Sequence, residues 1–181
     1  MRDLSLHLLD ITMNSIRANA SLIEIKLIES KQDDYLILII KDNGDGMTKQ
    51  MLEDIKNPFF TTRLTRKVGL GIPLLSAMAS RCEGEVLIES EVKVGTKVKM
   101  TIKLSHIDRP PFGDIHNTIS SLIYLEPNIN FLYEHQNDEL NYVFSTKSIK
   151  EVLQDVPINH LSVMNWIRNE LEEGDFSFSS Y

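Results

Sequence analysis

Leu4, Leu8, Ile11 and Ser15 fall at helical spacing with Leu9, Met13 and Ile16 beside them, so residues 3–18 read as an amphipathic helix that Asn19-Ala20-Ser21 ends. The period then changes. Residues 22–29 alternate, with Ile23, Ile25 and Leu27 on one face, and residues 35–41 form a continuous apolar run. The polar Lys31-Gln32-Asp33-Asp34 between them predicts an antiparallel pair whose second strand is central in its sheet. A short helix is expected at 49–55, followed by an irregular basic stretch, 57–68, that reads as a mobile lid. Gly69-Leu70-Gly71 opens a third helix running to about Arg81, and Gly84 breaks it. Residues 85–91 and 96–104 then form a second hairpin turning at Lys93-Val94-Gly95. Strands in hairpin pairs with helices inserted between them predict an α+β, two-layer α/β sandwich and not a doubly wound parallel sheet.

Asp108-Arg109-Pro110-Pro111 is a natural boundary, dividing the chain into a domain at 1–107 and a small C-terminal α/β subdomain at 108–181. The second part shows a helix at 114–125, strands at 130–134 and 140–145 turned at Gln136-Asn137-Asp138, and helices at 149–153 and 160–171. Met164, Trp166, Ile167 and Leu171 are expected as a local core on that hairpin, with a partner-binding surface as the other reading. A chain of 181 residues and 42% hydrophobic content can bury one ordinary core plus such an appendage.

Composition narrows the function. The most apolar stretch, 35–40, is stopped at once by Lys41 and Asp42, so no membrane span is expected. The chain enters a helical pattern with no leader-like segment, and a cytoplasmic location is expected. The single cysteine, Cys82, allows no internal disulfide. A net charge of −7 disfavours a nucleic-acid ligand, which needs a field of Lys and Arg. The two last helices resemble a helix-turn-helix, but residues 148–181 carry two basic and six acidic residues, which argues against DNA there too.

Three stretches could carry chemistry. Asp10, Asn14 and Arg17 stack on one face of the first helix. An Asn carbonyl suits Mg²⁺, and a carboxylate one turn earlier could orient a water or hydroxyl for attack on a phosphate; a solvated polar face would look the same. At the end of an apolar strand, Asp42-Asn43-Gly44-Asp45-Gly46-Met47 offers a carboxylate that could accept from an exocyclic amine, or else a plain Asx turn. Gly69-Leu70-Gly71 before a helix offers free N–H groups suited to polyphosphate, and is also a common helix start.

The order of these stretches is what resembles a known family. An Asn-bearing helix, strand-Asp-x-Gly-x-Gly, a basic loop and Gly-Leu-Gly before a helix are similar to the N, G1, F and G2 boxes of the GHKL ATPases, nearest to histidine-kinase catalytic domains. Asn57-Pro58-Phe59-Phe60-Thr61-Thr62-Arg63 resembles their F box, and Cys82-Glu83-Gly84 through Ser90 to Gly95-Thr96 resembles the closing hairpin. The overall layout resembles small stand-alone ATP-binding proteins of anaerobic bacteria. The resemblance implies the Bergerat fold, a mixed, mostly antiparallel sheet with helices on one face, with ATP or ADP and Mg²⁺ as ligands. It implies that Asn14 holds Mg²⁺, that Asp42 reads the adenine amine, and that Gly44 and Gly46 shape the base pocket. Phosphates would fall to Gly69, Gly71, Arg17 and the lid cations Arg63, Arg66 and Lys67, and Met47, Phe59, Thr61, Thr62, Leu70 and Thr96 are the further ATP-binding residues it implies.

Two departures bear on activity. Histidine kinases carry their phosphoacceptor histidine in a preceding helical domain, which this sequence does not show, so a phosphoacceptor is expected from another protein, with residues 108–181 as a candidate contact. Asp10 stands where hydrolysing and serine-phosphorylating relatives usually carry Glu, leaving general base and inert helix carboxylate both open. The expectation is a Mg-ATP-binding regulatory protein, kinase-like or a slow ATPase acting in trans; the alternative is an ATP-controlled interaction switch without turnover.

Overall fold

A computed structural model of the protein describes residues 3–56 and 71–175. The elements run α1 (Leu4–Arg17), β1 (Leu22–Ser30), β2 (Tyr35–Asp42), α2 (Lys49–Lys56), α3 (Gly71–Arg81), β3 (Glu85–Glu91), β4 (Gly95–Lys103), α4 (Ile115–Leu125), β5 (Asn130–Gln136), β6 (Asn141–Ser145), α5 (Thr146–Leu153) and α6 (Leu161–Gly174). Each element expected from the sequence is present within a few residues, and the fold is α+β. The stretch read as a lid, 57–68, lies outside the described residues.

Six strands form one sheet in the order β3-β4-β2-β1-β5-β6, with β2 interior as expected. One row across it explains the layering. Ile88, Val98, Ile40, Ile25, Tyr133 and Phe144 are successive register partners, one per strand, and all are buried. The next row holds Leu87, Lys99, Ile39, Lys26, Glu134 and Val143 on the opposite face, where Lys26 and Glu134 form an ion pair at 3.0 Å. Because side chains alternate across a strand, one face is largely apolar and the other carries charged residues. The helices close the apolar face with Leu4, Leu8 and Ile11 of α1, Leu75 and Ala79 of α3, Ile119 and Leu122 of α4, and Ile167 and Leu171 of α6.

The residues from 108 onward continue this sheet. β5 runs parallel to β1, pairing Leu22 with Asn130 through Ile28 with Gln136, and α4 supplies the crossover that parallel pairing requires. The linker also ties α1 down: Leu4 and Ser5 donate backbone N–H groups to the carbonyls of Pro111 and Phe112 at 3.0 and 2.9 Å, while Asp3 caps Leu6 N at 3.0 Å. Those bonds satisfy donors that a helix N-terminus otherwise leaves open. In α6, Met164, Ile167 and Leu171 join the common core, but Trp166 does not; it is 48% exposed, because it sits about 100° around the helix from Ile167. Among the described residues no helix is long and apolar enough to cross a membrane.

A buried polar network bolts the two halves together. His135 on β5 places Nε2 at 2.8 Å from Glu29 on β1 and Nδ1 at 2.7 Å from Asp175, just past α6. Asp175 also accepts from Tyr133 Oη at 2.7 Å and lies 3.1 Å from His116 Nε2 on α4. Burial pulls the His135 pKa down, but the hydrogen bonds and charges of Asp175 and Glu29 outweigh it and raise the pKa to about 9. Burial likewise opposes ionisation of Asp175, yet hydrogen bonds from His116, His135 and Tyr133 hold its carboxyl well below the usual range.

Since the folded pKa of His135 exceeds its unfolded value, its stabilisation is complete below about pH 6.5 and fades as pH rises through about 9. The depressed Asp175 acts at the other end, its contribution present above the ordinary carboxylate pKa and lost as pH falls below it. We expect urea unfolding to show a loss on the order of 3 kcal/mol between pH 6 and 9.5. His135→Gln should flatten that slope while lowering stability at pH 6, because two buried carboxylates lose their cation. An unchanged slope in the variant would refute the assignment.

Candidate nucleotide site

The site gathers where β2 ends. Asp42 closes the strand, buried, with its side chain turned toward α1 and the start of β4. Oδ2 accepts from Ser15 Oγ at 2.6 Å, and Oδ1 accepts from the Gly44 N–H at 2.9 Å and the Thr96 N–H at 3.2 Å. A carboxylate has about four acceptor positions, so three donors leave one on Oδ2. The bond to Gly44 is an Asx turn, so the plain reading of this loop is realised, and the carboxylate keeps acceptor capacity besides.

The loop after Asp42 is held on three sides. Asn43 Oδ1 accepts from the Ser21 and Leu22 N–H groups, both at 2.9 Å, and the Asp45 N–H donates to Ala18 O at 2.7 Å. Asp45 in turn accepts from Asn19 Nδ2 and Lys93 Nζ, each at 2.7 Å. These bonds, that from Lys93 first, hold its carboxyl below the ordinary value even though it is exposed. Gly46 has φ 66°, and a Cβ there would run into the Glu91 carbonyl, so this position takes glycine for conformation and for space. Met47 is half-buried against the core, its N–H donating to Ser90 Oγ at 2.9 Å. Ser90 also donates to Gly95 O at 2.9 Å and lies 2.9 Å from Thr96 Oγ1.

α1 supplies the second wall. Arg17 Nη1 donates to Asn14 Oδ1 at 3.2 Å, so the face-sharing expected from their spacing is present. Asp10, one turn before Asn14, reaches α3: a Cβ on Gly71 would collide with its carboxylate. The acid therefore rests against the first residue of a helix, where the dipole favours negative charge. Of the residues singled out in the sequence, Asp10, Asn14, Arg17, Asp42, Gly44, Gly46, Met47, Gly71 and Thr96 fall around this corner. Phe59, Thr61, Thr62, Arg63, Arg66, Lys67, Gly69 and Leu70 lie outside the described residues. Sequence reasoning missed Ser15 and Ser90 as supports of the site. For Ser15 a signal existed, a polar residue in the apolar stripe of α1.

The donor set suits magnesium with a polyphosphate. The described residues hold no group of three or more His, Cys, Asp or Glu able to cage a metal. Mg²⁺ takes few protein ligands when phosphates and water supply the rest. Asn14 Oδ1 keeps a lone pair beside the Arg17 bond, and the Asp10 carboxylate is one turn away.

Parts of known proteins resemble this chain. Sporulation kinase E of Bacillus subtilis (strain 168) is 33% identical over 75 residues, covering 41% of this chain and 10% of that protein. Sporulation kinase C of the same organism is 28% identical over 96 residues, covering 53% of this chain and 22% of that protein. The chain thus spans a small part of these relatives. The N-terminal domain of a DNA repair protein shares the fold, with a TM-score of 0.54 at 18% identity over 79% of this chain and 52% of that one. The model of the histidine kinase-, DNA gyrase B-, and HSP90-like ATPases matches residues 2–106, more than half of the chain. This chain belongs to that family and carries an ATP-binding domain similar to those of histidine kinases.

Proposed function

We propose that this chain is a cytoplasmic, Mg-ATP-dependent regulatory protein that acts in trans on a partner protein, kinase-like or as a slow ATPase. The observation that carries the reading is the Asp42 carboxylate, fixed by Ser15, Gly44 and Thr96 with one acceptor position left beside a loop bent around Gly46. A carboxylate so held is prepared to accept from the adenine amine, and Gly44, Gly46 and Met47 would form the floor for the base. Asn14 would hold Mg²⁺, while Arg17 and the start of α3 at Gly71 would meet the phosphates. ATP with Mg²⁺ would supply a transferable phosphoryl group. Asp10 would orient the attacking water or hydroxyl, and the net charge of −7 disfavours nucleic acid as the recipient.

A second reading is favoured by the contact of Asp10 with Gly71. An acid seated on a helix N-terminus has a structural task, and ATP could then order the site for a partner without turnover.

Calorimetry with Mg-ATP should show binding that Asp42→Asn weakens at least about tenfold, equivalent to about 1.4 kcal/mol. Unaltered affinity would remove Asp42 from the nucleotide site. Phosphate release from γ-labelled ATP is expected to be slow and to vanish in Asn14→Ala and Asp10→Ala, with Asp10→Ala still binding ATP. Turnover surviving in Asp10→Ala would leave that carboxylate with its structural task alone. Binding with no turnover in the unaltered protein would favour the switch.

A further inference from the structure

We propose that the groove between α5 and α6 docks an amphipathic helix of a partner protein, with basic residues at one end of that helix's apolar face. This rests on the reading that the chain acts through a partner, and it says where and by what chemistry. The groove measures about 530 Å³ and is walled by Ile149, Val152 and Leu153 of α5 and by Val163 and Trp166 of α6. Val152 is 82% exposed and Trp166 48%, although Ile149 and Leu153 of α5 and Val163 and Ile167 of α6 pack on the core. An aromatic anchor beside aliphatic walls is the composition of a protein-recognition surface, and a groove between two helices suits a third.

Charge selects the occupant. On α6 the stripe that faces the groove, Ser162 to Trp166, continues one turn to Glu170 and nearly another to Glu173, so the apolar floor runs into two carboxylates. The nearby cations are directed elsewhere. Lys150 donates to Ile129 O and Asn130 Oδ1 at 2.9 and 3.0 Å, and Arg168 lies about 200° around α6 from Trp166. A helix whose leucines enter the groove would therefore meet acids at one end, which basic residues complement.

Trp166 is the only tryptophan of the chain, so its emission reports the groove directly. The full chain without nucleotide would be titrated with a peptide of about 18 residues, about 27 Å as a helix, bearing leucines at helical spacing followed by a lysine cluster. A saturable blue shift is expected. The same peptide with glutamates for lysines, and Val152→Asp protein with the lysine peptide, should each bind at least about tenfold more weakly, and a Glu170→Lys, Glu173→Lys protein should prefer the glutamate peptide. Equal binding of both peptides to the unaltered protein would overturn the proposal. So would a blue-shifted emission in dilute protein alone, meaning that the chain covers its own groove, or a blue shift that grows with protein concentration together with a dimer mass, meaning that a second copy does. Nucleotide affinity is measured separately: peptide binding without ATP binding would leave the groove standing and sink the nucleotide reading, and the reverse result would sink the groove alone.

Discussion

The carboxylate of Asp42 is the point on which the nucleotide corner depends. It ends the interior strand of the sheet, and its three bonds reach a helix through Ser15, its own loop through Gly44 and the neighbouring strand through Thr96. A buried carboxylate is tolerated only when donors replace water, and here the donors come from three separate elements. The site is thus assembled by the same bonds that make the acid affordable. Ser15 belongs to α1, so the helix bearing Asp10, Asn14 and Arg17 is set in register with the loop that follows Asp42.

That helix also connects the site to the rest of the molecule. Its first turn is capped from the linker by Pro111 and Phe112, and it packs on α4, which packs on α6. A second route passes through the sheet, where β1 lies between β2, which ends in Asp42, and β5, which carries His135. Both routes consist of packed elements in direct contact, the kind of contiguous structure through which a change at one end can bias the other. The groove on α5 and α6 lies beyond α4 and β5 from the nucleotide corner.

The fold was legible wherever a period was strong. Leu4, Leu8, Ile11 and Ser15 announced α1, the alternation of Ile23, Ile25 and Leu27 announced β1, and Gly84 and Gly95 bracketed the last hairpin of the nucleotide module. Pairing across long separations was not legible, because a strand's own pattern states which face is buried and not which neighbour it takes. Hence the parallel union of β1 with β5 could not be read, nor could the Glu29–His135 contact between residues 106 apart. In the candidate site, motif spacing singled out Asn14, Asp42 and Gly71, and the fold sets the helix of Asn14 against both of the others. The supporting serines were hidden, since a hydroxyl in an apolar stripe looks like a tolerated exception until its acceptor is known. Trp166 was misplaced for a related reason: an aromatic residue beside core positions reads as core, and only the phase of the helix shows that it faces outward.

The union of β1 with β5 also has a consequence for how this protein can be divided. The segment that defines the family ends near residue 106, yet cutting there would strip β1 of its neighbour along seven register positions. The exposed row of amide and carbonyl groups would be a template for sticking to other chains, with Glu29 left without its histidine. The unit of heredity recognisable by motif is therefore smaller than the unit that can stand in water, and any transplant of the ATP-binding corner into another protein must bring the last two strands with it or provide a new edge.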